Sequence, residues 1–399
     1  MKKTRCISGL GTLGVASLLL LGGCATTRRG NLPAPITFNK DGGRGGLVIV
    51  TVRLESGKKL PFAVETGSST TVFDRSLEPQ LGQRLGTGTG NNWGREAKVG
   101  IYGSPKLYLG NTPLKMTGTN IVTVGLADVA EGSGGDPFMG LLGLDVLEHY
   151  CIQLDFNSRK MRFLATNEVH PARLGKAFSL NFSTELQGPG GLPSVHEPPL
   201  VGGASTNVII DTGCNVDGSV PPEVFCKLGG PKKQLEPASL KLDGSKSALV
   251  EKCVWNGQTY TNLLLHNGPN LIGLGFLARH LVTFDFPNRT LYLKQTSIGR
   301  LANKELEAAA EAAVDSAFKE LRRLRVKGQL PGWSKNDQRA PADCDIESLN
   351  CITCRPRKKG DSSIYCYEFT RESKKSPWKL RKAWRTDQDD RTLEEYPVP

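Results

Sequence analysis

The chain has 399 residues and is 38% hydrophobic, a length that suggests two or three domains and an apolar content that excludes a wholly disordered chain. Its 46 glycines and 24 prolines, with only 7% aromatics, favour many short strands joined by turns over a helical bundle. The net charge of +12 is spread along the chain rather than gathered into a stripe, so no nucleic-acid partner is expected, and the one long apolar run, within residues 1–23, excludes a polytopic membrane protein.

At the amino terminus Lys2, Lys3 and Arg5 precede an apolar run that ends in Leu21-Gly22-Gly23-Cys24. A basic start, a short apolar stretch and small residues before a cleavage point describe a secretory signal peptide over 1–23. The run is shorter than the ~20 residues a membrane span requires. The Leu-Gly-Gly-Cys ending resembles the lipobox of bacterial lipoproteins. That resemblance implies acylation of Cys24 and attachment to a membrane of the cell envelope. Ala25 after it implies the outer membrane, with the protein facing the periplasm. Two or more acyl chains give a stable anchor. Gly9, Gly11 and Gly14 match a dinucleotide-binding fingerprint in spacing alone, since no strand precedes them.

Residues 24–46 are rich in Arg, Pro, Gly and Asn and read as a tether. From Leu47 onward, runs rich in β-branched and aromatic residues predict strands at 47–52, 59–64, 71–73, 104–109, 121–124 and 151–156, and again at 205–210. This β-rich part occurs twice. Ala63-Val64-Glu65-Thr66-Gly67-Ser68 corresponds to Ile209-Ile210-Asp211-Thr212-Gly213-Cys214, and Leu141-Leu142-Gly143 to Leu271-Ile272-Gly273. Each glycine is followed 12 residues later by an aspartate, Asp155 or Asp285, that reads as the start of a turn.

These paired motifs resemble the pepsin-like and retropepsin-like aspartic peptidases over roughly residues 45–295. The resemblance implies an all-β, two-lobed fold of duplicated β-barrel lobes, 47–170 and 171–297, with a cleft between them. Both lobes lie in one chain, so a monomer suffices. It also implies that Glu65 and Asp211 face each other and share a proton, one acting as base to water and the other as acid to a carbonyl. The substrate would be an extended peptide or protein, cut without metal or organic cofactor. By the same resemblance Thr66 and Thr212 brace the two loops, Gly67 and Gly213 admit close backbone approach, and Ser68 bonds the first carboxylate. A flap over the cleft would carry Trp93 or Tyr102, each equally explicable as lobe packing.

Two positions depart from the family pattern: Glu65 replaces an aspartate, and Cys214 replaces a serine or threonine. Three readings therefore stand together. The first is an endopeptidase, the second a peptide-binding relative that lost the chemistry, and the third a structural envelope lipoprotein acting through its tail.

Leu306, Ala310, Ala313, Ala317, Leu321 and Leu324 form an apolar stripe that predicts an amphipathic helix within 301–327, expected to pack on the second lobe. Residues 328–399 read as a small cysteine-containing domain. Cys344, Cys351, Cys354 and Cys366 could hold zinc, but an exported chain favours disulfides. Cys226 and Cys253 are the expected pair in the second lobe, and Cys214 a free thiol. His149 and His280 are expected in surface turns rather than in a metal site.

Overall fold

The repeat in the sequence reappears as a repeat in strand pairing. In a computed structural model of the chain, Lys59–Val64 pairs in parallel with Gly140–Leu142, which pairs antiparallel with Val72–Asp74. In the second copy Thr206–Asp211 pairs in parallel with Leu271–Gly273, which pairs antiparallel with Gly218–Val220. In both, the chain leaves one strand, turns through a carboxylate-bearing loop, and returns on the far side of an inserted strand. Gly140 lies opposite Phe62 and has no side chain, which leaves room for that ring. The described residues are 32–92, 95–126, 137–183, 191–228, 247–302, 304–333, 339–348, 351–358, 362–373, 375–387 and 391–398. The segment read as a signal peptide and Cys24, the expected acylation site, lie outside them.

The first copy belongs to a nine-stranded sheet and the second to a seven-stranded sheet. A six-stranded sheet joins them. At its centre Cys151–Asp155 runs antiparallel to His280–Asp285, with Ile152 opposite Phe284 and Gln153 Nε2 donating to Thr283 Oγ1 at 3.1 Å. One apolar core, from Phe38 to Leu293, runs through all three sheets. Asp155 and Asp285 close the turns after their strands by accepting from Asn157 and Ser158, and from Asn288.

The expected all-β fold of duplicated β-barrels is corrected. Among the described residues each sheet is open, ending on two edge strands that do not pair with one another, and the chain adds a 24-residue helix, Lys304–Lys327, making a mixed α/β fold. In the nine-stranded sheet one edge is Arg84–Asn92, the outer arm of a hairpin with Arg95–Gly103. The other is the two-residue Thr112–Pro113, whose proline has no N–H to offer a closing neighbour.

Residues 32–46, the later part of the stretch read as a tether, lie against this body. Ile36–Thr37 pairs with Met161 and Lys160, Phe38 is buried, and an Arg44 Nη2 donates to Phe156 O at 2.9 Å.

The carboxy-terminal helix differs from expectation in what it covers. Ala313, Val314, Ala317 and Leu321 pack against Ile352, Tyr365, Tyr367 and Phe369 of a five-stranded antiparallel sheet. That sheet comprises Arg339–Ser348, Cys351–Lys358, Ile364–Thr370, Lys379–Thr386 and Thr392–Tyr396. The physical reason is the two-residue period of a strand. Tyr365, Tyr367 and Phe369 fall on one face and present an apolar surface that matches the helix stripe. Among the described residues no helix is long and apolar enough to cross a membrane.

Candidate functional site

Lys59–Val64 and Thr206–Asp211 lead into equivalent tight loops, and their buried ends, Val64 and Ile210, bring the loops together. Thr66 Oγ1 donates to Ile210 O at 2.8 Å, and Thr212 Oγ1 donates to Val64 O at 2.7 Å. The Thr66 N–H donates to Thr212 Oγ1 at 2.9 Å, and the Thr212 N–H to Thr66 Oγ1 at 3.0 Å. Each hydroxyl thus donates and accepts across the junction, and both threonines are fully buried.

The bracing places Glu65 and Asp211 within hydrogen-bonding reach of one another. Gly67 N–H donates to Glu65 Oε1 at 2.7 Å, and Gly213 N–H donates to Asp211 Oδ1 at 2.7 Å. Gly213 also supports Glu65 through its backbone, and the Cys214 N–H supports Asp211. The glycines are obligatory. A Cβ at Gly67 would lie 2.5 Å from Asp211 Oδ1, and one at Gly213 would overlap the Glu65 carboxyl. The extra methylene of Glu65 is accommodated by leaning over Gly213, where no side chain stands.

Burial pushes both carboxyls above their ordinary range. For Glu65 the nearby Asp211 charge and the hydrogen bond to it add to the rise. For Asp211 the hydrogen bonds from Glu65, Gly213 and Cys214 oppose it. Each carboxyl therefore holds a proton more readily than a free one, and the two, side by side, cannot both ionise cheaply. The titration belongs to the pair. Beside it, burial and the Asp211 charge push the Cys214 thiol upward, so it is neutral.

Other expected residues fall elsewhere. Ser68 Oγ donates to Thr70 O at 2.7 Å rather than to Glu65, because its hydroxyl is satisfied within the turn. Tyr102 is buried in the nine-stranded sheet and accepts from Arg84 Nε at 2.9 Å, so it serves lobe packing. Trp93 lies outside the described residues. His280 is buried, not in a surface turn, with Nε2 2.8 Å from Tyr260 Oη and Nδ1 3.0 Å from Phe276 O.

The expected disulfides are corrected. No disulfide joins any of the described cysteines. Cys253 is buried, with its thiol pushed up to about 11 by burial, whereas Cys226 is exposed in a short helical turn. In the tail, Cys354 pairs with Tyr367, which puts Cys366 on the opposite face of the sheet. Cys351 shares that opposite face but pairs with Thr370, four residues from Cys366 and roughly 13 Å along the strand. The Cys344 side chain lies outside the described residues. Among the described residues no three His, Cys, Asp or Glu side chains are grouped to hold a metal ion.

One constellation escaped the reading of the sequence: a fully buried ion pair between Asp217 and Arg279, with Arg279 Nη2 2.7 Å from Asp217 Oδ1. An aspartate six residues past the dyad member and a lone arginine in Leu277-Ala278-Arg279 were the available signals.

No family model matches the chain, and no curated protein sequence matches it. Among solved structures it is similar to basic 7S globulin from soybean, at 12% identity and a TM-score of 0.43, over 67% of this chain and 96% of that chain.

Proposed function

We propose that the chain hydrolyses internal peptide bonds through Glu65 and Asp211. The observation that carries this reading is a buried, hydrogen-bonded carboxyl pair held by the reciprocal Thr66 and Thr212 bonds. Ionised Asp211 takes a proton from the attacking water as it adds to the scissile carbonyl. Protonated Glu65 gives its proton to the carbonyl oxygen. Collapse of the resulting gem-diol returns a proton to Glu65 and, from Asp211, delivers one to the leaving nitrogen. An extended substrate would add strand-like hydrogen bonds to the cleft walls. Both carboxyls come from one chain, so a monomer is competent.

The reading places the protein outside the cytoplasm, anchored through acylated Cys24 at the outer membrane and facing the periplasm. Cys24→Ser should release it from the membrane fraction.

A second reading, peptide binding without hydrolysis, is favoured by the lean of Glu65 over Gly213, since displacement of a reacting group by about 1 Å can cost a hundredfold in rate. Peptide-library cleavage from about pH 3 to 7 separates the two. Cleavage by the parent that Asp211→Asn abolishes supports hydrolysis. No cleavage by the parent, with cleavage appearing in Glu65→Asp, supports the binding reading.

A further inference from the structure

Six residues beyond each dyad carboxyl, the two loops are pinned by different chemistry. In the first, the Thr71 N–H and Oγ1 donate to the Asp145 carboxylate at 2.9 and 2.7 Å. In the second, Asp217 stands where Thr71 does, and Gly275 where Asp145 does. Asp217 Oδ1 accepts from Arg279 Nε at 3.0 Å and Nη2 at 2.7 Å, while Oδ2 accepts from the Leu264 N–H at 2.8 Å. The Asp217 N–H donates to Leu264 O at 3.1 Å, and its carbonyl accepts from the Gly273 N–H at 2.9 Å. Arg279 spends its remaining donors on the carbonyls of Thr261, Ile298 and Asn262, at 2.7, 2.9 and 3.2 Å.

A buried ion pair is a poor source of stability, because desolvation offsets most of the Coulomb attraction. What the guanidinium supplies is direction, a rigid planar fork with fixed donor positions. The direction is transmitted over a short path. Arg279 fixes Asp217, the Asp217 carbonyl holds Gly273, and Gly273 lies opposite Asp211 in the parallel pairing of their strands.

We infer that the Asp217–Arg279 pair is a positioning device for Asp211, clamping the downstream end of its loop and thereby setting how the two dyad carboxyls meet. The inference rests on the hydrolytic reading of that pair. Neither Asp217 nor Arg279 touches the carboxyls, so their part is geometric.

The test uses the full chain and three variants. Arg279→Lys keeps the charge and loses the fork. Asp217→Asn with Arg279→Met removes both charges, so neither is left buried alone. Phe163→Leu, in the six-stranded sheet against Tyr150, is a destabilised control remote from the loops. Three quantities are measured: melting temperature, kcat and KM for peptide cleavage, and the carboxyl titration of Glu65 and Asp211 by carbon-13 NMR. Arg279→Lys and the double variant should move the two titration steps of the pair and lower kcat by roughly tenfold or more, with KM little changed. The control should lower the melting temperature and leave the titration in place. If Arg279→Lys and the double variant behave like the control, the ion pair is structural and the inference is overturned. If the titration moves although the parent cleaves no peptide, the hydrolytic reading fails and the positioning role stands.

Discussion

Thr66 and Thr212 exchange the same two hydrogen bonds in both directions, each hydroxyl donating to the carbonyl two residues before the other threonine and accepting the other's N–H. The relation is symmetric although the residues flanking it are not. It makes the spacing of the carboxyls depend on two side chains that carry no charge.

Thr212→Val keeps the shape and removes the hydroxyl, leaving the Thr66 N–H and the Val64 carbonyl buried without that partner. At 1–3 kcal/mol for each buried group left unsatisfied, the loss should be roughly 2–6 kcal/mol. Thr212→Ser, which keeps the hydroxyl, should lose much less. Urea unfolding of the two variants measures the difference.

Gly213→Ala should abolish cleavage, because its methyl group would occupy the space of the Glu65 carboxyl. Gly103→Ala meets nothing within 4 Å and should change stability by no more than about 0.5 kcal/mol. Kinetics and melting curves on the two alanine variants check both statements.

Both dyad carboxyls bind protons more tightly folded than unfolded, since their folded values are raised. Their contribution to stability is thus complete below the unfolded carboxylate range near pH 4 and is lost as pH rises through the raised values. Glu65→Gln removes the proton that must be lost and the like charge it would leave. The stability of the parent relative to Glu65→Gln should therefore fall as pH rises, measured by urea unfolding between about pH 4 and 8.

His280 has the opposite sense. Burial lowers it to about 4, so its contribution is present above the unfolded value of 6.5 and is lost as pH falls toward about 4. The melting temperature of the parent relative to His280→Gln should decline as pH falls over that interval. Between about pH 4 and 6.5 the dyad and His280 contributions run in opposite directions, so each is read as the difference between the parent and its own variant.

That Glu65 and Asp211 meet beside their threonines and glycines was legible in the sequence because these residues recur in one register, and a tight loop between buried strands leaves those positions few alternatives. Sheet closure was not legible. Whether Arg84–Asn92 becomes an edge or curls back depends on pairings between residues far apart in the chain. The tail strand Ile364–Thr370 was obscured by its nearly continuous run of buried residues, which hides the period of two. The cysteine pairings failed for a related reason: Cys354 and Cys366 lie on opposite faces, a parity that becomes visible only once strand and register are known. Asp217 and Arg279 are single polar residues in apolar surroundings, and their partnership exists only in the folded chain.

The most direct test of the central claim is peptide cleavage in oxygen-18 water, read by mass spectrometry on the products. The Glu65 and Asp211 mechanism predicts one heavy oxygen in each new carboxy terminus with the parent protein, and none above background with Asp211→Asn. Equal labelling by the parent and Asp211→Asn would contradict it.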